Sequence, residues 1–352
     1  MTDRVLKAKG QYRKDKTQTT YEKNVFVDPL KKRVKKGNSG RSRGIKLPKY
    51  IVFKLDDSGH LLIDIQEQSA IKPNGESIRI NATCNNMQTD NAAFEGWAVC
   101  LKAWFPDKIH TVSLKWDIPS DEMRNPHYNR FLFRAWRFAQ LYDWFTIEES
   151  NNGEIITFEN TYNHLSINCS NSDPLRKGNL ENRTEYDFVK VPSIAEKFKS
   201  FYGIKNFDHQ LHVGIKNKGK QFFTGGQSAI DLWGRSNNVL TVIELKYDNI
   251  MVGIISELFL YICVVISLAK GEISAPESCI LEHESELYAN IKSVNSFKAE
   301  MLADEYHPLL ENNGILDILN NNNAEGEGFK LHFGKTSFSY NEITKALHLS
   351  CE

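Results

Sequence analysis

Alternation of apolar and polar residues predicts strands near the start of the chain. The segments 50–55 (YIVFKL) and 60–65 (HLLIDI) are rich in aliphatic and aromatic residues, and they flank the turn-forming sequence DDSG at 56–59. Two such runs around a short polar, glycine-containing stretch are typical of a β-hairpin. The two aspartates are therefore interpreted as turn formers rather than metal ligands.

Longer periodic segments follow the hairpin. Residues 92–104 and 129–145 predict helices, and residues 111–116 and 154–169 predict strands. We expect these elements to form an N-terminal α+β domain over residues 47–170 that recognises a substrate or a partner.

The predicted helix 129–145 is unusually aromatic, and it also contains Arg130, Arg134 and Arg137. Aromatic rings beside arginines can stack on bases and contact phosphates. Here the aromatic residues surround much of the helix, so a buried face covered by arginine stems is the favoured interpretation.

The second half of the chain begins with a polar stretch, residues 171–190, which we interpret as a linker. A helix is predicted from Pro192 to about Tyr202 and opens a C-terminal domain over residues 191–352. Two further helices are expected within 284–319, and a late strand at 329–338.

Residues 250–269 are almost entirely apolar, with Glu257 as their one charge. A helix packed against the inner face of a sheet is apolar on nearly all sides. About 20 apolar residues also suffice to cross a membrane, but a charge near the middle disfavours that alternative.

The most informative pattern is a hairpin within 229–246. Its strands meet at residues 237–238, two asparagines that tolerate the positive φ of a tight turn. That register places Asp231 directly across from Glu244, with Cβ atoms about 5 Å apart. Lys246 follows two residues after Glu244 and shares its face.

Two facing carboxylates repel each other unless a cation lies between them. A hard divalent ion binds through one or two carboxylates plus water, and it can activate a bound water and stabilise charge on a phosphoryl oxygen. The alternative interpretation is a salt-bridged strand pair in which Lys246 neutralises an acid. A register shift of one residue would also move Asp231 to the other face.

An acid on one strand, an apolar strand ending in Glu-x-Lys and a following helix resemble the core motif of the PD-(D/E)xK nuclease superfamily. Asp231 corresponds to the first acid, Glu244 to the second and Lys246 to the lysine. Ile230 stands at the position of the motif's proline. The resemblance covers the C-terminal region and depends on its strand and helix context.

The resemblance implies an α+β protein with a restriction-endonuclease-like αβββαβ core in its C-terminal domain and a separate N-terminal α+β domain. It implies that Asp231, Glu244 and the carbonyl of Leu245 bind Mg²⁺, for which Mn²⁺ would substitute. Lys246 would position the attacking water or neutralise developing charge. The expected activity is that of a metal-dependent nuclease, an endonuclease cutting DNA in restriction or anti-phage defence.

Three accessory residues follow from the same resemblance. Glu257 and Tyr261 resemble the Gln-x-x-x-Tyr pair of some nuclease branches, with Glu in place of Gln; the alternative is that they have a purely structural role. Some members also place a metal-facing Glu in the first helix, where this chain has Glu196. Because Glu196 lies three residues after Ser193, a capping box is the favoured interpretation.

Charge is distributed unevenly, although the whole chain is neutral. Residues 1–50 contain sixteen Lys or Arg against four Asp or Glu, and we interpret residues 1–46 as a basic arm. Such an arm can bind the phosphate backbone of a nucleic acid. The alternatives are a mobile solvated tail or docking on the acidic remainder of the chain. The candidate nucleic-acid contacts are Lys31, Lys32, Arg33, Lys35, Lys36, Arg41 and Arg43.

Composition narrows the function classes. Hydrophobic residues make up 41% and charged residues 25%, as in ordinary globular proteins. Six cysteines without Cys-x-x-Cys spacing argue against a structural zinc site and a disulfide scaffold, and they favour the cytoplasm. The expected partner is DNA rather than RNA, with a second copy of the chain or a defence subunit as further partners. The alternative function is a non-catalytic nucleic-acid-binding or partner-binding protein on a nuclease scaffold.

Overall fold

The computed structural model describes residues 19–34, 45–71, 75–87, 89, 91–162, 164–168, 178–223, 228–276 and 282–351. In these ranges the architecture is mixed α/β. The helices are α1 (Thr20–Glu22), α2 (Asp28–Arg33), α3 (Phe94–Trp104), α4 (Pro126–Leu141), α5 (Glu149–Thr161), α6 (Leu180–Lys190), α7 (Pro192–Tyr202), α8 (Ile254–Lys270), α9 (Glu282–Asn290) and α10 (Gly314–Asn320).

The strands belong to several sheets. They are β1 (Ile51–Leu55), β2 (His60–Ile65), β3 (Gln68–Ile71), β4 (Ser77–Ile80), β5 (Thr111–Trp116), β6 (Phe145–Ile147), β7 (Leu165–Ile167), β8 (Asn206–His212), β9 (Ile215–Asn217), β10 (Lys220–Gln221), β11 (Ala229–Ser236), β12 (Val239–Lys246), β13 (Ile273–Ser274), β14 (Ser296–Ala303), β15 (Lys330–Asn341) and β16 (Ala346–Cys351).

The largest sheet has six strands in the order β16–β15–β14–β12–β11–β8. Strands β8, β11 and β12 are antiparallel neighbours, whereas β14 runs parallel to β12 on its other side. Parallel strands need a long crossover connection, and α8 lies in the segment that links β12 to β14. The chain therefore contributes a helix, three antiparallel strands, a helix and a parallel strand to this unit, with the short strands β9, β10 and β13 in another sheet.

Helix α8 is enclosed, as its apolar sequence predicts. Every side chain from Ile254 to Leu268 is buried, and the helix contacts β12 and β14 on one side and α3 and α4 on another. Gly271, with φ of +78°, ends the helix in the left-handed conformation that favours glycine at this position. Among the described residues, no helix combines the length and the hydropathy that crossing a membrane requires.

The predicted N-terminal hairpin is confirmed. Strands β1 and β2 pair antiparallel, and they form a four-stranded sheet with β5 and β6. Asp56 has the predicted turn-forming role, because its Oδ1 accepts hydrogen bonds from the amides of Ser58 and His60, each at 2.9 Å. The predicted late strand is also confirmed, as part of β15.

A continuous apolar core extends through both halves of the chain. Phe138 of α4 packs edge-on against Phe259 of α8, with ring centroids 5.0 Å apart. The aromatic residues of α4 are largely buried, as the favoured interpretation expects. A smaller apolar cluster on the other face of the six-stranded sheet joins α6 and α7 to that sheet.

One predicted strand is wrong. Residues 149–161 form α5, because Ile155 and Phe158, three residues apart, bury one helical face. The two helices predicted within 284–319 are present as α9 and α10, but a strand lies between them. Residues 296–303 (SFKAEMLA) form β14 despite their helix-favouring composition, since pairing with β12 and β15 on both sides overrides local propensity.

The linker and the basic arm also differ from expectation. Residues 180–190 of the predicted linker form α6, which Asn179 caps by accepting a hydrogen bond from the amide of Asn182 at 2.9 Å. Residues 19–34 of the predicted arm are largely helical, and Phe26 and Leu30 lie in the core. Polar composition hides these helices because each buries only a few side chains.

Candidate active site

The β11–β12 hairpin has the predicted register. Its turn lies at residues 237–238, and the first of these has φ of +54°, which asparagine tolerates. Paired residues extend from the turn to Leu232 and Ile243, so Asp231 and Glu244 are one position beyond the last pair. The two predicted acids are therefore neighbours at the open end of the hairpin.

Asp231 is half-buried, and its Oδ2 accepts a hydrogen bond from the amide of Leu245 at 2.9 Å. Burial raises the pKa of its carboxyl well above the ordinary value. Lys246 opposes this shift, whereas Glu185 and Glu181 add to it. Burial therefore favours the neutral form of this carboxyl, and a cation close to Asp231 would favour the ionised form.

Glu244 is buried beside Asp231. Its Oε1 accepts a hydrogen bond from Lys246, and its Oε2 is buried without a hydrogen-bond partner among the described residues. Burial raises the pKa of Glu244 well above its usual range, with further contributions from Asp231 and Glu257 that Lys246 only partly offsets. Such an orphaned buried oxygen is destabilising unless it is protonated or meets a cation.

Lys246 is the central cation of the site. Its Nζ contacts Glu244, and it lies 3.0 Å from Oε2 of Glu257. Burial alone would lower the pKa of the ammonium group, but Glu244, Glu257 and Asp231 together hold that pKa well above its ordinary value. Lys246 is therefore a fixed positive charge and not a proton acceptor at neutral pH.

The two accessory residues on α8 both lie at this cluster. Glu257, in the first turn, is fully buried and forms the ion pair with Lys246. Tyr261, one turn later, is also buried; its pKa is raised well above the ordinary value by burial and then by Glu244 and Glu257. Glu257 therefore contacts the lysine directly.

Sequence reasoning missed two acids on α6. Glu181 Oε2 accepts a hydrogen bond at 3.1 Å from the amide of Tyr247, the residue that follows Lys246. Glu185 Oε1 accepts one from Gln210 at 2.7 Å. Burial raises the pKa of Glu185 to about 8, and Glu181 adds to that effect.

A local signal for these acids was present in the sequence. Glu181 and Glu185 are four residues apart and share one helical face. Asn179, a favoured N-cap residue, precedes them. The polar composition of 171–190 led to the linker interpretation instead.

Glu196 does not form the predicted capping box. Helix α7 begins at Pro192 with Val191 as its N-cap, and no side-chain capping hydrogen bond is present. The Glu196 side chain is exposed and pairs with Lys199 at 2.9 Å. Proline as the first helical residue has a preset φ and no amide hydrogen to satisfy, so the capping box is not needed.

A buried polar network from the N-terminal half adjoins the site. Arg134 Nε lies 2.9 Å from Glu95 Oε1, and both side chains are almost fully buried. Ser256, the neighbour of Glu257 on α8, donates a hydrogen bond to Glu95 Oε2 at 2.7 Å. Arg130 is also buried; its pKa is lowered to about 10, chiefly by burial, while Glu257 acts in the opposite direction.

The donor set fits a hydrated divalent ion better than a closed cage. Carboxylates outnumber cations around Lys246, and Oε2 of Glu244 lacks a partner among the described residues. Within the described ranges, no three His, Cys, Asp or Glu side chains are arranged to enclose a metal ion. Mg²⁺ commonly binds through one or two carboxylates and keeps several waters, so Asp231 and Glu244 suit it.

The predicted nucleic-acid contacts are only partly described. Lys31 and Lys32 are exposed on α2. Arg33 is engaged within the protein, because its Nη1 donates a hydrogen bond to the carbonyl of Trp104 at 2.7 Å and its guanidinium lies over the ring of Phe105. Lys35, Lys36, Arg41 and Arg43 lie outside the described residues.

Comparisons of the chain with protein-family models, with curated proteins and with solved structures give no match.

Proposed function

We propose that this protein is a metal-dependent nuclease and that Asp231, Glu244 and Lys246 form its active site. The observation that carries the proposal is the convergence of Asp231 and Glu244 at the open end of the hairpin, with an unsatisfied oxygen on Glu244 and a buried lysine beside it. Hydrolysis of a phosphodiester needs both a positive charge near the phosphate and an activated water.

A bound Mg²⁺ or Mn²⁺ would polarise the phosphoryl oxygen and lower the pKa of a coordinated water. Asp231 and Glu244 would hold the ion, with the carbonyl of Leu245 as a further ligand. Lys246 is held as an ammonium group, so it would orient the attacking water or stabilise negative charge on the phosphate. Glu257 would fix the position of Lys246 through their 3.0 Å contact.

The more exposed residues of this site are acidic. Asp231 and Glu181 are half-buried, whereas Glu244, Lys246 and Glu257 are buried. A phosphate approaching these carboxylates without a metal ion would be repelled. Substrate binding should therefore depend on the divalent ion as strongly as the chemical step does.

The fold supports the same proposal by analogy. The order of one helix, three antiparallel strands, a second helix and a parallel strand is consistent with an αβββαβ core like that of restriction-endonuclease-like proteins. We propose DNA as the substrate, in a cytoplasmic defence role. Lys31 and Lys32 would supply sequence-independent phosphate contacts.

Cleavage assays test the proposal. Supercoiled plasmid, linear DNA and single-stranded RNA are incubated with Mg²⁺, Mn²⁺ or EDTA, using wild type, Asp231→Asn and Lys246→Ala. We expect metal-dependent cleavage that both substitutions abolish. Glu300→Gln is the matched control, because Glu300 is a buried acid on the adjacent strand whose side chain projects from the other face of the sheet.

A non-catalytic scaffold is the second candidate function. It is favoured by the tight enclosure of Lys246, which already has two carboxylate partners. If the folded wild-type protein cleaves none of the three substrates but retards DNA on a gel, the role of the protein is binding and the nuclease proposal is wrong.

A further inference from the structure

A cavity lies on the face of the six-stranded sheet opposite to the candidate active site. Its volume is about 330 Å³, and β14 and β15 form its floor while Phe201 lines one side. Glu300 of β14 pairs with Ile243, the residue before Glu244. Successive side chains on a strand point to opposite faces, so Glu300 and Glu244 project in opposite directions.

Glu300 is the central polar group of this cavity. The Glu300 side chain belongs to a residue that is only 8% exposed. Within the described part of the chain, its carboxylate has neither a hydrogen bond nor an ion pair within 4.0 Å. Gly334 lies directly across from it on β15. A Cβ atom at Gly334 would collide with both carboxylate oxygens, so the glycine creates the space that the carboxylate occupies.

A lysine and a histidine lie beside Glu300 on the same face. Lys298 is two residues earlier on β14, and it pairs with His332 of β15. Both line the cavity, Lys298 half-buried and His332 exposed. Two residues along a strand span about 7 Å, which sets the separation between the acidic and the basic ends of the cavity.

We propose that this cavity binds a small molecule that presents two parallel N–H donors to Glu300 and an anionic group to Lys298 and His332. A carboxylate with both oxygens available accepts a planar pair of N–H groups in bidentate fashion, which gives strength and directional selectivity. The cavity size lies at the lower end of ordinary small-molecule sites. A guanine mononucleotide and free arginine both carry this combination of groups.

The electrostatics of Glu300 agree with this geometry. Burial raises the pKa of its carboxyl to about 7, and Lys298 offsets only part of that shift. The ionised carboxylate is therefore unfavourable in the empty cavity. A ligand that donates two hydrogen bonds would supply the stabilisation that the protein lacks there.

Isothermal titration calorimetry on the full chain tests the inference with four probes. These are 5′-GMP with 5′-AMP as its control, and L-arginine with L-lysine as its control, because AMP and lysine lack the paired planar N–H donors. We expect GMP or arginine to bind at least tenfold more tightly than its control. GMP binding would identify a nucleotide ligand, and arginine binding would identify an amino-acid ligand.

Two variants and a surface control locate the binding. Glu300→Gln and Gly334→Ala should each weaken binding at least tenfold, the first by removing an acceptor and the second by filling the cradle. Glu196→Gln should bind like wild type. Circular dichroism checks that each variant is folded, and Lys298→Ala replaces any that is not. Absence of binding by both GMP and arginine, equal binding of a probe and its control, or unchanged binding by folded Glu300→Gln would overturn the inference.

Discussion

Lys246 forms ion pairs with two buried carboxylates of the candidate active site, Glu244 and Glu257. Lys246→Met should leave both carboxyl groups without their cation. We expect the free energy of unfolding to fall by about 3–5 kcal/mol at pH 8. The loss should be smaller at pH 5, because burial raises the pKa of Glu244 and protonation removes its unpaired charge. Urea unfolding followed by circular dichroism at both pH values measures the difference.

Lys298→Met is the matched control, because Lys298 is a half-buried lysine on the adjacent strand without an ion pair among the described residues. Its effect on the free energy of unfolding should be below about 1 kcal/mol. Equal effects of the two substitutions would show that the carboxylates around Lys246 do not depend on it.

Glu300 gives a prediction about pH. Its pKa is raised to about 7 from an ordinary value of 4.5, so the folded state binds this proton more tightly than the unfolded state. The associated stability is complete below about pH 4.5 and is lost as the pH rises through 7. The free energy of unfolding of Glu300→Gln, relative to that of wild type, should therefore increase by on the order of 2–3 kcal/mol between pH 5 and pH 9. The same difference in the free energy of unfolding between Glu300→Gln and wild type at both pH values would contradict this.

Among the elements, α6 contributes most that local sequence did not reveal. Its acids lie at the site because α6 packs beside β8 and β12, which is a long-range contact. The β11–β12 hairpin shows the opposite case: its turn residues and its alternation specify both the pairing and the neighbours of Asp231. Local pattern thus identified the strand-borne residues, whereas the two acids of α6 reach the site through tertiary packing.

Glu185→Gln tests the contribution of α6. The substitution removes a carboxylate that adjoins Asp231, and residues that support a metal ligand typically change activity by about 10–100-fold. We expect the plasmid cleavage rate in Mg²⁺ to fall by that factor. Glu196→Gln is the control on the next helix and should retain the wild-type rate. A larger loss in Glu196→Gln than in Glu185→Gln would favour Glu196 as the metal-facing helical acid that the family resemblance implies.

On the scale of the whole molecule, α4 and α8 join the two halves of the chain through a common core. Composition and periodicity identified most of the elements in each half, including the hairpin of β1 and β2 and the enclosed helix α8. They could not show that Arg134 of α4 pairs with Glu95, or that Ser256 links this pair to α8. The favoured interpretation, arginine stems packed over a buried face, does not specify a buried partner for the guanidinium group.

Arg134→Met tests this connection. It leaves the fully buried Glu95 without its cation, so the free energy of unfolding should fall by about 3–5 kcal/mol. The double variant Glu95→Gln/Arg134→Met should recover part of that loss, because neither buried charge remains. Tryptophan fluorescence and far-ultraviolet circular dichroism should report one common transition in the wild type. If the effects of the two substitutions on the free energy of unfolding simply add, or if the two probes report separate transitions, the halves are not coupled in this way.

Binding of Mn²⁺, measured by calorimetric titration of the full chain in the absence of substrate, tests the central claim most directly. The account predicts binding by wild type, a loss of at least tenfold in affinity in Asp231→Asn and in Glu244→Gln, and wild-type affinity in Glu300→Gln. No binding by wild type, or equal binding by folded Asp231→Asn, would contradict a metal site at the open end of the β11–β12 hairpin.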